Sequence, residues 1–147
     1  VGVISGGSNP NVVAEEALAT IDIRVTTAEE AKQVEAIVRE RVPTIEGTEL
    51  EVTGSFERPP LERTDTVERL YKRARGIAAK FGHKLREGGT GGGSDGNFTA
   101  ALGIPTLDGL GAVGAGPHAL SEHIDIDSLT WRAALLAELI VETIACD

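Results

Sequence analysis

The sequence has no methionine, a single cysteine, and no apolar run near the roughly eighteen residues that a membrane-spanning helix needs. Each absence narrows the possibilities. With no methionine and Val1-Gly2-Val3-Ile4 in front, the 147 residues are expected to be a portion or a processed form of a longer product. Cys146 alone makes no internal disulfide, which excludes a disulfide framework and a cysteine-built zinc site. Any metal then falls to histidine and carboxylates. Positive charge is also scarce: 14 Lys and Arg stand against 23 Asp and Glu, a net charge of −9, with no basic stripe. Binding to a phosphate backbone is driven by Lys and Arg displacing counterions, so nucleic acid is not expected as a partner, and neither is a membrane. No secretory pattern opens the chain. The compartment stays open: cytoplasm is slightly favoured, and periplasm or secretion applies if a signal preceded Val1.

What is present suits a globular chain. Hydrophobic residues make up 41% and charged residues 25%, enough for one ordinary domain or parts of two smaller ones. Val1 to Ile4 reads as a short strand, and the turn-forming Gly6-Gly7-Ser8-Asn9-Pro10-Asn11 follows it. Ala17 to Val25 alternates as a half-buried strand. Thr26-Thr27-Ala28-Glu29-Glu30 supplies a cap, and Ala31, Val34, Ile37, Val38 and Val42 then recur at helical spacing up to Pro43. Glu49 to Thr53 alternates again. Strand, strand, helix, strand suits a helix packed on an antiparallel sheet.

Arg58-Pro59-Pro60-Leu61 marks a boundary, because prolines remove donors and hold the preceding residue extended. Beyond it Thr64-Asp65 caps a helix whose apolar face runs from Val67 to Phe81 and stops at Gly82. After a glycine-rich segment, a short helix over Asn97 to Leu102, a strand at Ile104-Pro105-Thr106-Leu107 and a final helix opened by Asp127-Ser128 are expected.

Two segments carry candidate chemistry. Gly88-Gly89-Thr90-Gly91-Gly92-Gly93-Ser94-Asp95-Gly96 is costly to order. A loop without side chains, leading into a helix capped by Ser94 or Asp95, aims amides at a phosphate or carboxylate. No lysine follows the glycines, so the phosphate-loop and dinucleotide patterns are not met. A flexible turn is the other reading. The second segment, Gly114-Ala115-Gly116-Pro117-His118-Ala119-Leu120-Ser121-Glu122-His123, sets a histidine in a stiff turn. His118 and His123 lie about 140° apart around a helix, so at most one is a ligand. From the residues alone His118 is a metal ligand, a turn-stabilising residue or a general acid–base group. His83 reads as a surface residue near a helix end. Glu122, Asp125 and Asp127 read as a solvated capping stretch.

Asn11-Val12-Val13, Asp22-Ile23-Arg24, Gly91-Gly92-Gly93-Ser94-Asp95 and Gly116-Pro117-His118 with Glu122, in this order, resemble the co-catalytic zinc peptidase and deacylase family. That family includes glutamate carboxypeptidase, aminoacylase, acetylornithine deacetylase and succinyl-diaminopimelate desuccinylase. The resemblance implies an α/β fold. Residues 58–147 would be the C-terminal part of a zinc-exopeptidase-like catalytic domain, and residues 1–57 the later part of a ferredoxin-like α+β lid that commonly mediates dimerisation. It makes His118 a zinc ligand and Asn11, Arg24, Arg58, Gly92 and Gly93 substrate-binding groups. Two zinc ions are implied, with cobalt or manganese as substitutes. The other donors and the general-base Glu belong to His-x-Asp and Glu-Glu motifs that have no counterpart here, so no catalytic residue is assigned and the chain alone is expected to be inactive.

The chemistry implied is metal-assisted hydrolysis of an amide in N-acylated amino acids or small peptides with a carboxylate, by a homodimer joined through the lid. Arg suits such a carboxylate because its planar fork pairs through two hydrogen bonds. The plainer readings are a strand-surface charge for Arg24 and a local ion pair for Arg58. The rival functions are a non-catalytic dimerisation or small-anion-binding module, and a nucleotide-binding fragment built on the glycine loop.

Overall fold

In a computed structural model describing residues 1–145, the first element is a hairpin. Strand β1 (Val3–Gly6) pairs antiparallel with β2 (Ala17–Thr20), Val3 facing Thr20 and Gly6 facing Ala17. Cys146 lies outside the described residues. The turn-rich segment between the strands closes on itself through Val12 N–H donating to the Asn9 carbonyl at 3.3 Å. The alternation that predicted a strand as far as Val25 pairs only to Thr20.

Helix α1 (Ala28–Arg39) begins where the Thr26-Thr27 signal put it. The Thr27 hydroxyl accepts from Glu30 N–H while the Glu30 carboxylate accepts from Thr27 N–H, a reciprocal capping box. The backbone N–H and hydroxyl of Thr26 also reach that carboxylate and hold it below its ordinary pKa. The helix gives out at Glu40, before Pro43.

The segment Glu49 to Thr53 forms no strand. Its alternation defines two faces but supplies no ladder partner. Instead the neighbouring Gly54 carbonyl accepts from Arg39 Nη2 at 2.8 Å. The described part of residues 1–57 is therefore a two-stranded hairpin and one helix, and a complete lid is not shown.

The core lies between α2 (Asp65–Lys80) and α4 (Ile126–Ile144). Ala74, Ile77 and Ala78 of α2 meet Leu135 and Leu139 of α4, with Leu70, Leu85, Leu107, Leu110 and Trp131 packed around them. Thr64 caps α2 by accepting from Val67 N–H. Gly82, at φ +79°, ends it in a left-handed turn in which His83 N–H reaches back to the Ala78 carbonyl. Lys80 pairs with Glu142 at 2.8 Å across the two helices, and the carboxylate raises the ammonium pKa.

His83 differs from its expected role as a surface residue. Its ring stacks on Trp131 at 4.2 Å between centroids and 15° between planes, tying the end of α2 to α4. The sequence separation of these residues hid the pair.

Three short elements lie between the helices: α3 (Gly96–Ala101), β3 (Gly114–Ala115) and β4 (His123–Ile124). Ile104 to Leu107 forms no strand, and Leu107 packs on the core instead. The described residues form a mixture of helices and two small sheets.

Candidate functional site

The glycine loop is held at its C-terminal end by Ser94 and by Asn97, a side chain that the sequence reading did not single out. Asn97 accepts from Ser94 N–H through Oδ1 at 2.9 Å and donates from Nδ2 to the Pro59 carbonyl at 2.8 Å. One amide side chain thus pins the loop to the proline boundary. Ser94 Oγ accepts from Gly96 N–H at 3.1 Å, whereas Asp95, though at the cap position of α3, makes no capping bond. Of the two expected capping residues, Ser94 takes the part. An Asn three residues after a Ser at a loop-to-helix junction is the signal that would have found this clasp.

Two arginines from distant parts of the chain meet on this loop. Arg24 donates from Nη1 to the Gly91 carbonyl at 3.0 Å, and its Nε and Nη2 hold Asp22 at 3.0 and 2.8 Å. Arg58 donates from Nη1 to the Ser94 carbonyl at 2.5 Å, lies 3.6 Å from Asp95 Oδ1 and has its guanidinium carbon 4.8 Å from the centre of the Phe98 ring. A further contact joins the same two halves of the chain: Glu62 Oε1 accepts from Ala28 N–H at 2.7 Å. Of the two glycine amides expected to face an anion, that of Gly92 donates to Thr90 Oγ1 at 3.2 Å. Among the described residues Gly93 N–H has no such bond.

His118 sits in the turn between β3 and β4, where Gly114 pairs with Ile124 and Ala115 with His123. Its φ of +65° is the one left-handed value at a non-glycine among the described residues. Gly116 at φ +71° bends the chain into the turn, Ala119 N–H donates to the Gly116 carbonyl, and His118 N–H donates to Glu122 Oε2 at 3.2 Å. Glu122 thus braces the turn through the histidine backbone. The imidazole is exposed and has no hydrogen bond among the described residues. His123 turns instead to the Ser121 carbonyl, 2.8 Å from Nδ1. Asn11 is likewise exposed in the β1–β2 loop.

The turn is anchored to the core through Ser128, which is 2% exposed. Its hydroxyl accepts from Val113 N–H at 2.9 Å and donates to the Asp125 carbonyl at 2.6 Å, and Asp125 N–H returns to the Val113 carbonyl at 2.7 Å. Asp125 also caps α4 through Asp127 N–H. Ser128→Ala removes the partner of Val113 N–H in a part-buried bond, and a destabilisation of about 0.5–1.5 kcal/mol is expected from denaturant titration. A cost within error of zero would mean that Ser128 does not hold this turn.

The structure therefore brings Arg24, Arg58 and the loop from Gly91 to Asp95 together, and sets Asn11 and His118 at the exposed tips of two hairpins. Among the described residues no group of three or more His, Cys, Asp or Glu side chains is placed to hold a metal ion. The donor set present does not enclose one, and His118 offers a single imidazole.

The model of Peptidase family M20/M25/M40 matches residues 3–142. No curated protein and no solved structure matches the chain.

Proposed function

Because the chain belongs to Peptidase family M20/M25/M40, which implies a metallopeptidase in full-length members, we propose that it serves metal-dependent hydrolysis of an amide bond in N-acylated amino acids or small peptides carrying a carboxylate. The observation that carries the substrate class is the convergence of Arg24 and Arg58 on the glycine loop. The two guanidiniums meet the loop at carbonyls three residues apart, each with an aspartate beside it, Asp22 or Asp95, that an incoming carboxylate would replace. A carboxylate is the ligand that such forks pair with in two-point geometry. In this reading Asn11 and the Gly93 amide engage the remaining polar atoms of the substrate, and the Gly92 amide does so on leaving Thr90 Oγ1.

His118 is read as one metal ligand, with the other donors and the general base supplied from outside these residues. Zinc is the metal proposed, as two ions in the complete enzyme. The left-handed turn and the Glu122 brace support the reading by fixing the backbone that carries the imidazole, while its ring has no hydrogen-bond partner among the described residues. The apolar Val3, Ile4 and Leu18 exposed on the hairpin support dimerisation through residues 1–57.

Metal content and chelator sensitivity of the full-length protein test the proposal. Stoichiometric zinc is expected, with amidase activity lost on chelation and restored by zinc. Full activity in metal-free protein would overturn the proposal. Carboxylate binding without any metal-dependent hydrolysis would favour the small-anion-binding module instead.

A further inference from the structure

Gly91 and Gly93 are not glycine for the sake of backbone freedom. Neither has a positive φ, unlike Gly6, Gly7 or Gly116. What sets them apart is contact. A Cβ at Gly91 would lie 2.9 Å from both Cδ and Nη1 of Arg24, and one at Gly93 would lie 2.5 Å from Cδ and 2.8 Å from Nε of Arg58. No ordinary Cβ approaches that closely. The neighbouring glycines differ: Gly92 would meet only Thr90 Oγ1 at 3.7 Å, and Gly88 and Gly89 face open space.

We propose that Gly91 and Gly93 are positioning residues, two seats across which the stems of Arg24 and Arg58 lie so that their guanidiniums reach the Gly91 and Ser94 carbonyls. Both arginines precede the Pro59-Pro60 boundary and the loop follows it, so the loop, by bonding each of them, sets their mutual placement. The functional consequence rests on the carboxylate-binding reading given above; the seats themselves rest only on contact geometry. Adding one methyl at either seat pushes the arginine stem off the loop and moves the guanidinium that it carries. Displacements of this size, about 1 Å, cost up to 100-fold where geometry matters. Asp95 and Phe98 flank the seated Arg58 and favour its return to the same place.

The test is a pair of double-mutant cycles in the full-length protein. Gly91→Ala and Gly93→Ala are each expected to raise KM for a carboxylate-bearing substrate about tenfold or more, with a smaller change in kcat, and to lower Tm by a few degrees. Gly88→Ala and Gly89→Ala are expected to change neither. With Arg58→Ala in place, Gly93→Ala should cost no further stability, because no stem remains to collide with; Arg24→Ala should silence Gly91→Ala in the same way. If Gly93→Ala alone does not fold, the double variant with Arg58→Ala should restore folding.

Additive stability losses in both cycles would overturn the seats. Coupled stability losses with an unchanged KM would uphold the seats and sink carboxylate binding by the two arginines, so the two failures are distinguishable.

Discussion

His118→Ala in the full-length protein is expected to remove most of one bound metal equivalent and to lower amide hydrolysis by more than about 100-fold. Loss of a residue that merely orients a metal ligand already costs about 10–100-fold, and the ligand itself counts for more. The structural reason for choosing this histidine is its backbone. A non-glycine residue at φ +65° carries about 1–2 kcal/mol of strain, and such strain persists where the surroundings impose it. Here Gly116, Pro117 and the Glu122 bond to His118 N–H impose it. His118→Gly separates the two parts of the claim. It relieves the strain and should raise Tm by a few degrees, while losing metal and activity as alanine does. His83→Ala is the control: its imidazole stacks on Trp131, so about 0.5–1.5 kcal/mol of stability should go with metal content unchanged. Equal metal loss in the His118 and His83 variants would defeat the assignment.

The helices were legible because their signals are local. Thr27 with Glu30, Thr64 and Gly82 announce helix ends through bonds to residues within a few positions, while the last helix, expected to open at Asp127-Ser128, is capped by Asp125 two residues earlier. The strands were less so. Glu49 to Thr53 and Ile104 to Leu107 have the right alternation or apolarity, yet a strand exists only where a second one lies beside it, and a neighbour is not a property of the segment itself. The site divides in the same way. The glycine loop and the Gly-Pro-His turn stand out in composition, but the meeting of Arg24 with Gly91, 67 positions apart, is set by tertiary structure. The Asn97 bond to the Pro59 carbonyl and the stacking of His83 on Trp131 were invisible for the same reason, whereas the Asn97 bond to Ser94 is local. Resemblance to a family supplied the roles of His118 and the arginines; periodicity alone left each with a plain alternative.

Leu135→Ala should have the largest effect on folding, because so little else is buried. The apolar residues buried among those described are Ala74, Ile77, Ala78, Leu135 and Leu139, and Leu135 is wholly enclosed. Removing its side chain deletes contacts with α2 and leaves a cavity, at a cost of about 2–5 kcal/mol. Total stability is commonly about 5–15 kcal/mol, so Tm should fall by roughly 5–15 °C. Leu136 is 42% exposed, and Leu136→Ala in this same chain should cost clearly less. Equal losses would mean that α4 faces α2 through a different stripe. The consequence reaches the site, because Ser128 stands on the same helix, within two turns of Leu135, and carries Val113 N–H at the base of the His118 turn. If that hydroxyl couples turn to core, the Val113 amide should exchange with solvent only when α4 leaves α2, and Leu135→Ala should speed its exchange by the factor that the global destabilisation implies. Exchange at Val113 that ignores Leu135→Ala would show the turn opening by itself, and the position of His118 would then owe nothing to the helix pair.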